Sequence, residues 1–140
     1  MPNVDLADAV ALSPSACLRR VKSLEADGII AGYRAEVDRT RAGLDLTVFV
    51  EIQVAAHNSD MPAQVARVEE GLRAIPAIVA CHLVSGTSDF FAEVAVPDLA
   101  AYEQLLFGQI LTIPNVSFAR SMFAIRTVVE RGPIPLTHWA

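Results

Sequence analysis

Cysteine is scarce in this sequence of 140 residues: Cys17 and Cys81 are the only two. Both stand among apolar neighbours, which reads as two buried thiols and excludes a disulfide framework or a cysteine-built metal site. Histidine is equally thin, and His57, His82 and His138 share no ligand-like spacing. No apolar run approaches the roughly 18 residues of a membrane-spanning helix. Met1 is followed by no basic-then-apolar leader, so a soluble cytoplasmic protein is expected, with no membrane partner. No Ser/His/Asp set, no catalytic carboxylate pair and no phosphate-cradling glycine loop can be assembled. The expectation is a protein that is not an enzyme and uses no metal and no cofactor.

Positive charge is also in deficit, with 11 basic against 16 acidic residues and a net charge of −5. That excludes a grip on nucleic acid by the whole surface. The deficit is uneven. Residues 1–43 hold six basic and six acidic side chains, residues 44–140 five and ten. Any contact with DNA must come from the local cluster Arg19, Arg20 and Lys22, helped by Arg34 and by a multimer that presents several such clusters.

The stretch from Leu12 to Gly28 is the most ordered signal present. Ser13 suits a helix N-cap, Pro14 the first helical position, and Gly28 the left-handed residue that ends a helix. A helix over about 14–27 follows. At 100° per residue Cys17, Leu18, Val21 and Leu24 share one side, while Ser15, Arg19 and Lys22 share the other, with Ala16 and Ser23 beside them and Arg20 on the flank. One face suits a core. The other is small, polar and basic, as a helix entering a DNA major groove must be, with Ser13, Ser15, Ala16, Arg19, Arg20 and Lys22 as the contact set. Upstream, Asn3–Val10 carries Leu6, Ala9 and Val10 at helical spacing, and Ala11-Leu12-Ser13 makes the turn of a helix-turn-helix. Residues 29–38 read as a short extended piece broken at Gly32, like the wing of a winged helix.

Leu6-Ala7, Leu12 to Val21, Leu24-Glu25, Gly28-Ile29-Ile30 and Gly32 to Ala35 together resemble the DNA-binding half of the Lrp/AsnC, or feast/famine, family of prokaryotic transcription regulators. The resemblance continues through the rest of the chain. It implies one further helix upstream of Asn3 in a complete DNA-binding domain, which this sequence does not contain.

The remaining chain has enough apolar residues, at 53% hydrophobic overall, for one sound core. A polar hinge around 39–45 divides a DNA-binding segment over 1–38 from a second domain over 46–140. Leu46–Val54 alternates as a strand, with Leu46, Val48, Val50, Ile52 and Val54 on one face. Residues 61–74 form an amphipathic helix with Val65, Val68 and Leu72 inward, begun by Asp60 and Pro62. Residues 78–84 and 89–96 form a hairpin around the turn Ser85-Gly86-Thr87-Ser88. A second helix follows Pro97-Asp98 with Leu99, Tyr102, Leu106 and Ile110 aligned, and a final strand is expected over 116–129. Leu72–Ile78 and Ile110–Val116 repeat one helix-exit device, which implies two βαβ halves. The expected fold is therefore α+β: a truncated winged helix-turn-helix followed by a ferredoxin-like βαββαβ domain with both helices on one sheet face. The other face, carrying Phe49, Glu51 and Gln53, is open and half-apolar, so self-association is expected. The family resemblance implies homodimers through this domain and higher assemblies such as octamers.

For a small-molecule site the turn is the candidate. Gly86 allows close backbone approach, Ser85 and Thr87 with exposed N–H groups can hold a carboxylate, and Asp89 can pair with an ammonium, which together suit a free amino acid. The same residues are ordinary hairpin residues. The family resemblance implies an effector pocket at this turn, though Thr87 and Ser88 stand where an acid and an aromatic are common. Arg120 and Arg126 read as surface or inter-subunit charges, and Glu69-Glu70 as a solvated helix face. Two functions remain open at this point: a sequence-specific, amino-acid-responsive DNA-binding regulator, or an amino-acid-binding oligomeric modulator without DNA binding of its own.

Overall fold

The computed structural model describes residues 1–55 and 60–129. It forms two compact units, Met1–Val37 and Asp38–Ala140. In the first, helix α1 runs Asn3–Ala9 and helix α2 runs Pro14–Ala26. The exit of α1 is closed by Ala11 N–H on the Asp8 carbonyl at 3.2 Å and Leu12 N–H on that of Ala7 at 2.9 Å, with Ala11 left-handed at φ 53°. Ser13 then caps α2, its hydroxyl accepting from Ala16 N–H at 3.3 Å, and Pro14 opens the helix as expected. Gly28 ends it at φ 72°. Ala7 and Cys17 are buried, with Leu6, Leu12, Val21 and Leu24 half-buried. Leu18 and Val10, expected to be covered, are 43% and 50% exposed, because two short helices cannot cover the whole of each other's apolar stripe. The wing-like piece expected after α2 pairs with no strand among the described residues. Residues 31–37 are exposed and take no ladder partner, and Tyr33 instead donates its hydroxyl to Glu25 Oε1 at 2.6 Å.

The second unit is a four-stranded antiparallel sheet of order β2-β3-β1-β4, built from β1 Leu46–Val54, β2 Ile78–Leu83, β3 Phe90–Val96 and β4 Val116–Phe123. Helix α3, Met61–Arg73, and helix α4, Leu99–Leu105, bury one face of it, which is the ferredoxin-like arrangement expected. The alternation of β1 holds: Val48, Val50, Ile52 and Val54 are buried, against Val68 and Leu72 of α3 and Tyr102 and Leu105 of α4. Asp60 precedes α3 without a capping side-chain bond, whereas Asp98 caps α4 through Ala101 N–H at 2.8 Å.

Three expectations are corrected here. The final strand stops at Phe123: it pairs with β1 back to Val48, Ala124 N–H adds one bond to Thr47, and the β-branched run beyond has no strand to pair with among the described residues. Helix α4 widens into a π-helical turn over Leu106–Ile110, so Ile110 follows Leu105 inward five residues on, while Leu99 in the first turn of the helix is exposed. Cys81, expected to be buried, lies exposed on the edge strand β2. Desolvation still raises its thiol above the ordinary value, with the Glu69 charge adding to the rise.

Candidate functional site

The first candidate surface is the solvent side of α2. Arg19, Arg20 and Lys22 are exposed there, behind exposed Ser13 and Ser15 and half-buried Ala16. None of the three cations enters an ion pair or a side-chain hydrogen bond among the described residues. Ser13 and Ser15 hydroxyls lie 3.3 Å apart at the start of the helix, and Asn3 donates to the Pro14 carbonyl at 3.1 Å, tying α1 to the same end. The result is a helix N-terminus of small residues with three unspent cations behind it. That arrangement can donate to phosphates and to base edges.

The second candidate is the β2–β3 turn. Ser85, Gly86 and Thr87 are exposed, and Gly86 has φ 130°. The turn is clasped to the end of β1: Gln53 Nε2 donates to the Thr87 carbonyl at 2.8 Å, and Asp89 Oδ2 accepts from Val54 N–H at 2.7 Å. A backbone bond from Val84 N–H to the Asp89 carbonyl closes the hairpin, and one from Asp89 N–H to the Ile52 carbonyl ties it to β1. The β1–β3 ladder ends at the Ile52 and Phe90 pair, so the Val54 N–H, next along that edge, takes the Asp89 carboxylate as its acceptor. Asp89 therefore already holds the strand end. Strand parity puts Gln53 on the open face, but its hold on Thr87 depends on the β1–β3 register, which no local pattern states.

Away from the turn, a groove of about 360 Å³ opens between α3 and β2, lined by Leu72, Ile78, Leu83 and Phe90 with Glu69 and Arg73 on its rim. Those two charges pair with each other at 2.5 Å, so neither is spare for an amino acid. Of the histidines, His82 is exposed on β2, while His57 and His138 lie outside the described residues. Arg120 pairs with Glu51 across β4 and β1 on the open sheet face, and Arg126 is exposed beyond the strand.

Comparison with known proteins decides the family. The sequence profile of the Lrp/AsnC ligand binding domain matches residues 47–134, and that of a winged helix-turn-helix DNA-binding domain matches residues 1–31. The chain belongs to the Lrp/AsnC family of transcriptional regulators. Among Lrp/AsnC relatives, the Bkd operon transcriptional regulator of Pseudomonas aeruginosa is 36% identical, over 94% of this chain and 84% of that protein. The leucine-responsive regulatory protein of Haemophilus influenzae is also 36% identical, over 91% of this chain and 75% of its own length. The crystal structure of a transcriptional regulator of Neisseria meningitidis in complex with L-methionine superposes with a TM-score of 0.88 at 28% identity, covering 99% of this chain and 87% of that one. These Lrp/AsnC relatives are transcriptional regulators rather than enzymes. No helix among the described residues is long and apolar enough to cross a membrane.

Proposed function

We propose that this chain is a sequence-specific DNA-binding transcriptional regulator, not an enzyme, acting in the cytoplasm as a homo-oligomer that places paired copies of α2 in major grooves. The observation that carries the reading is the set Arg19, Arg20 and Lys22, exposed and unpaired among the described residues on a capped helix. Exposed cations that no local acid neutralises release condensed counterions when they meet phosphates. Six acids match six bases over residues 1–43, so a single unit grips weakly, and pairing in a dimer or a higher assembly such as an octamer supplies the rest.

A small amino acid is the proposed effector, held at Ser85, Gly86, Thr87 and Asp89. The L-methionine complex of the Neisseria relative supports that class of ligand. Binding shifts regulation only through unequal affinity for two arrangements of the oligomer.

Replacing Arg19 and Arg20 together with Ala tests the DNA reading. Each lost contact should cost about 1–3 kcal/mol of DNA binding at moderate salt, with oligomer mass unchanged. Undiminished affinity would mean that α2 is only a surface helix.

A further inference from the structure

Between the helix-turn-helix unit and the sheet the chain passes through Asp38–Leu44, and this stretch is a built elbow. Asp38 Oδ1 accepts from Arg41 N–H at 3.0 Å, and its carbonyl accepts from Ala42 N–H at 2.9 Å. Gly43 N–H returns to the Thr40 carbonyl at 3.0 Å and Leu44 N–H to that of Arg39 at 2.8 Å, with Gly43 left-handed at φ 75°. This is one capped helical turn ended by a paired 5→2 and 6→1 closure. A single turn is too short to hold itself in water. Arg39 holds it. Its guanidinium donates through Nη2 to Glu93 Oε1 at 2.8 Å and through Nη1 to Thr47 Oγ1 at 3.3 Å. Glu93 stands opposite Phe49 in the β1–β3 register, so the elbow is fastened to the middle of the open sheet face.

We propose that Arg39 is a positioning residue for DNA binding: by fastening the elbow to Glu93 and Thr47 it keeps the tether to the recognition helix short. The inference rests on the DNA-binding reading above. Upstream of the elbow, Tyr33 is tied to α2 through Glu25, which leaves residues 34–37 as the tether. Four residues span at most about 14 Å. Without Arg39 the elbow opens and the tether becomes the eleven residues of 34–44, at most about 40 Å. Effective concentration at the second half-site falls with roughly the −3/2 power of tether length, so two-site binding should weaken about fivefold. Binding at one half-site does not depend on the tether.

The experiment uses the full chain, wild type beside Arg39→Ala and Arg39→Lys. The probes are a two-half-site duplex selected by the wild-type protein from a random pool and the single half-site cut from it. Hydrogen exchange at the Ala42, Gly43 and Leu44 amides and oligomer mass are recorded on the same samples. R39A should lose about fivefold on the two-site duplex only, with faster exchange in the elbow and unchanged mass. R39K, which keeps the charge without the fork, should fall between. Equal two-site affinity in R39A and wild type, or unchanged exchange in the elbow, overturns the proposal while leaving the regulator reading intact. A wild-type protein that selects no duplex overturns the DNA-binding reading, and this proposal with it.

Discussion

Ala11, Gly28 and Gly43 each close a helical turn in the left-handed conformation, at φ 53°, 72° and 75°, and only Ala11 carries a Cβ there. A left-handed Ala costs about 1–2 kcal/mol relative to the right-handed form, while Gly gives some of that back through its freer unfolded chain. Ala11→Gly should therefore stabilise the exit of α1 by about 0.5–1 kcal/mol and slow hydrogen exchange at the Leu12 amide about two- to fivefold. An unchanged rate would show that the surrounding turn already absorbs the strain. Gly28 was readable as a helix stop because the letter itself signals the conformation. Ala11 was not, since nothing in an alanine announces positive φ. The same limit applies to Arg39, whose partner Glu93 lies 54 residues away and is brought near only by the β1–β3 pairing.

At the scale of elements, period-two and period-3.6 patterns were legible wherever one face is buried by a partner. The inward residues of β1 and the Val68 and Leu72 positions of α3 all reach the core. The patterns failed where no partner exists or where the period changes. Thr127, Val128 and Val129 favour strand, yet no strand among the described residues runs beside them, and the π-helical turn over Leu106–Ile110 spaces Ile110 five residues from Leu105 on the buried side. Asp89 is the element-level question for function, because one carboxylate has two possible duties. Asp89→Ala removes a charge-assisted bond to Val54 N–H, for which about 1.5–3 kcal/mol is typical, and the second unit's Tm should fall by several degrees. Asp89→Asn keeps an acceptor for that N–H but no negative charge. If the carboxylate also holds an ammonium, Asp89→Asn should melt near wild type without ligand yet lose its thermal shift with L-methionine and L-leucine. A full shift retained in Asp89→Asn would leave Asp89 as a strand clasp alone.

At the scale of the whole molecule, the four-stranded sheet is covered on one face only. The open face carries Phe49 stacked on Phe91 at 5.7 Å between ring centroids, with Phe118 and Met122 at 52% and 39% exposure and the Glu51–Arg120 pair beside them. Aromatic and aliphatic side chains so grouped, with two internally neutralised charge pairs, Glu51–Arg120 and Arg39–Glu93, form a surface that a second copy of itself can cover across a two-fold axis. The pairing also answers the charge problem. A chain of net charge −5 cannot hold DNA by its overall field, but two copies present two Arg19-Arg20-Lys22 clusters at once. Phe118→Glu with Met122→Glu places four like charges across such an interface in a dimer, while each side chain in the single chain is already solvated and its fold should survive. Light scattering should then show the mass falling to one chain, with two-half-site DNA binding lost alongside it and the far-ultraviolet circular dichroism unchanged. An unchanged mass would move the self-association surface off the open face, and the paired-helix account of DNA binding would then need another contact to hold its two halves together.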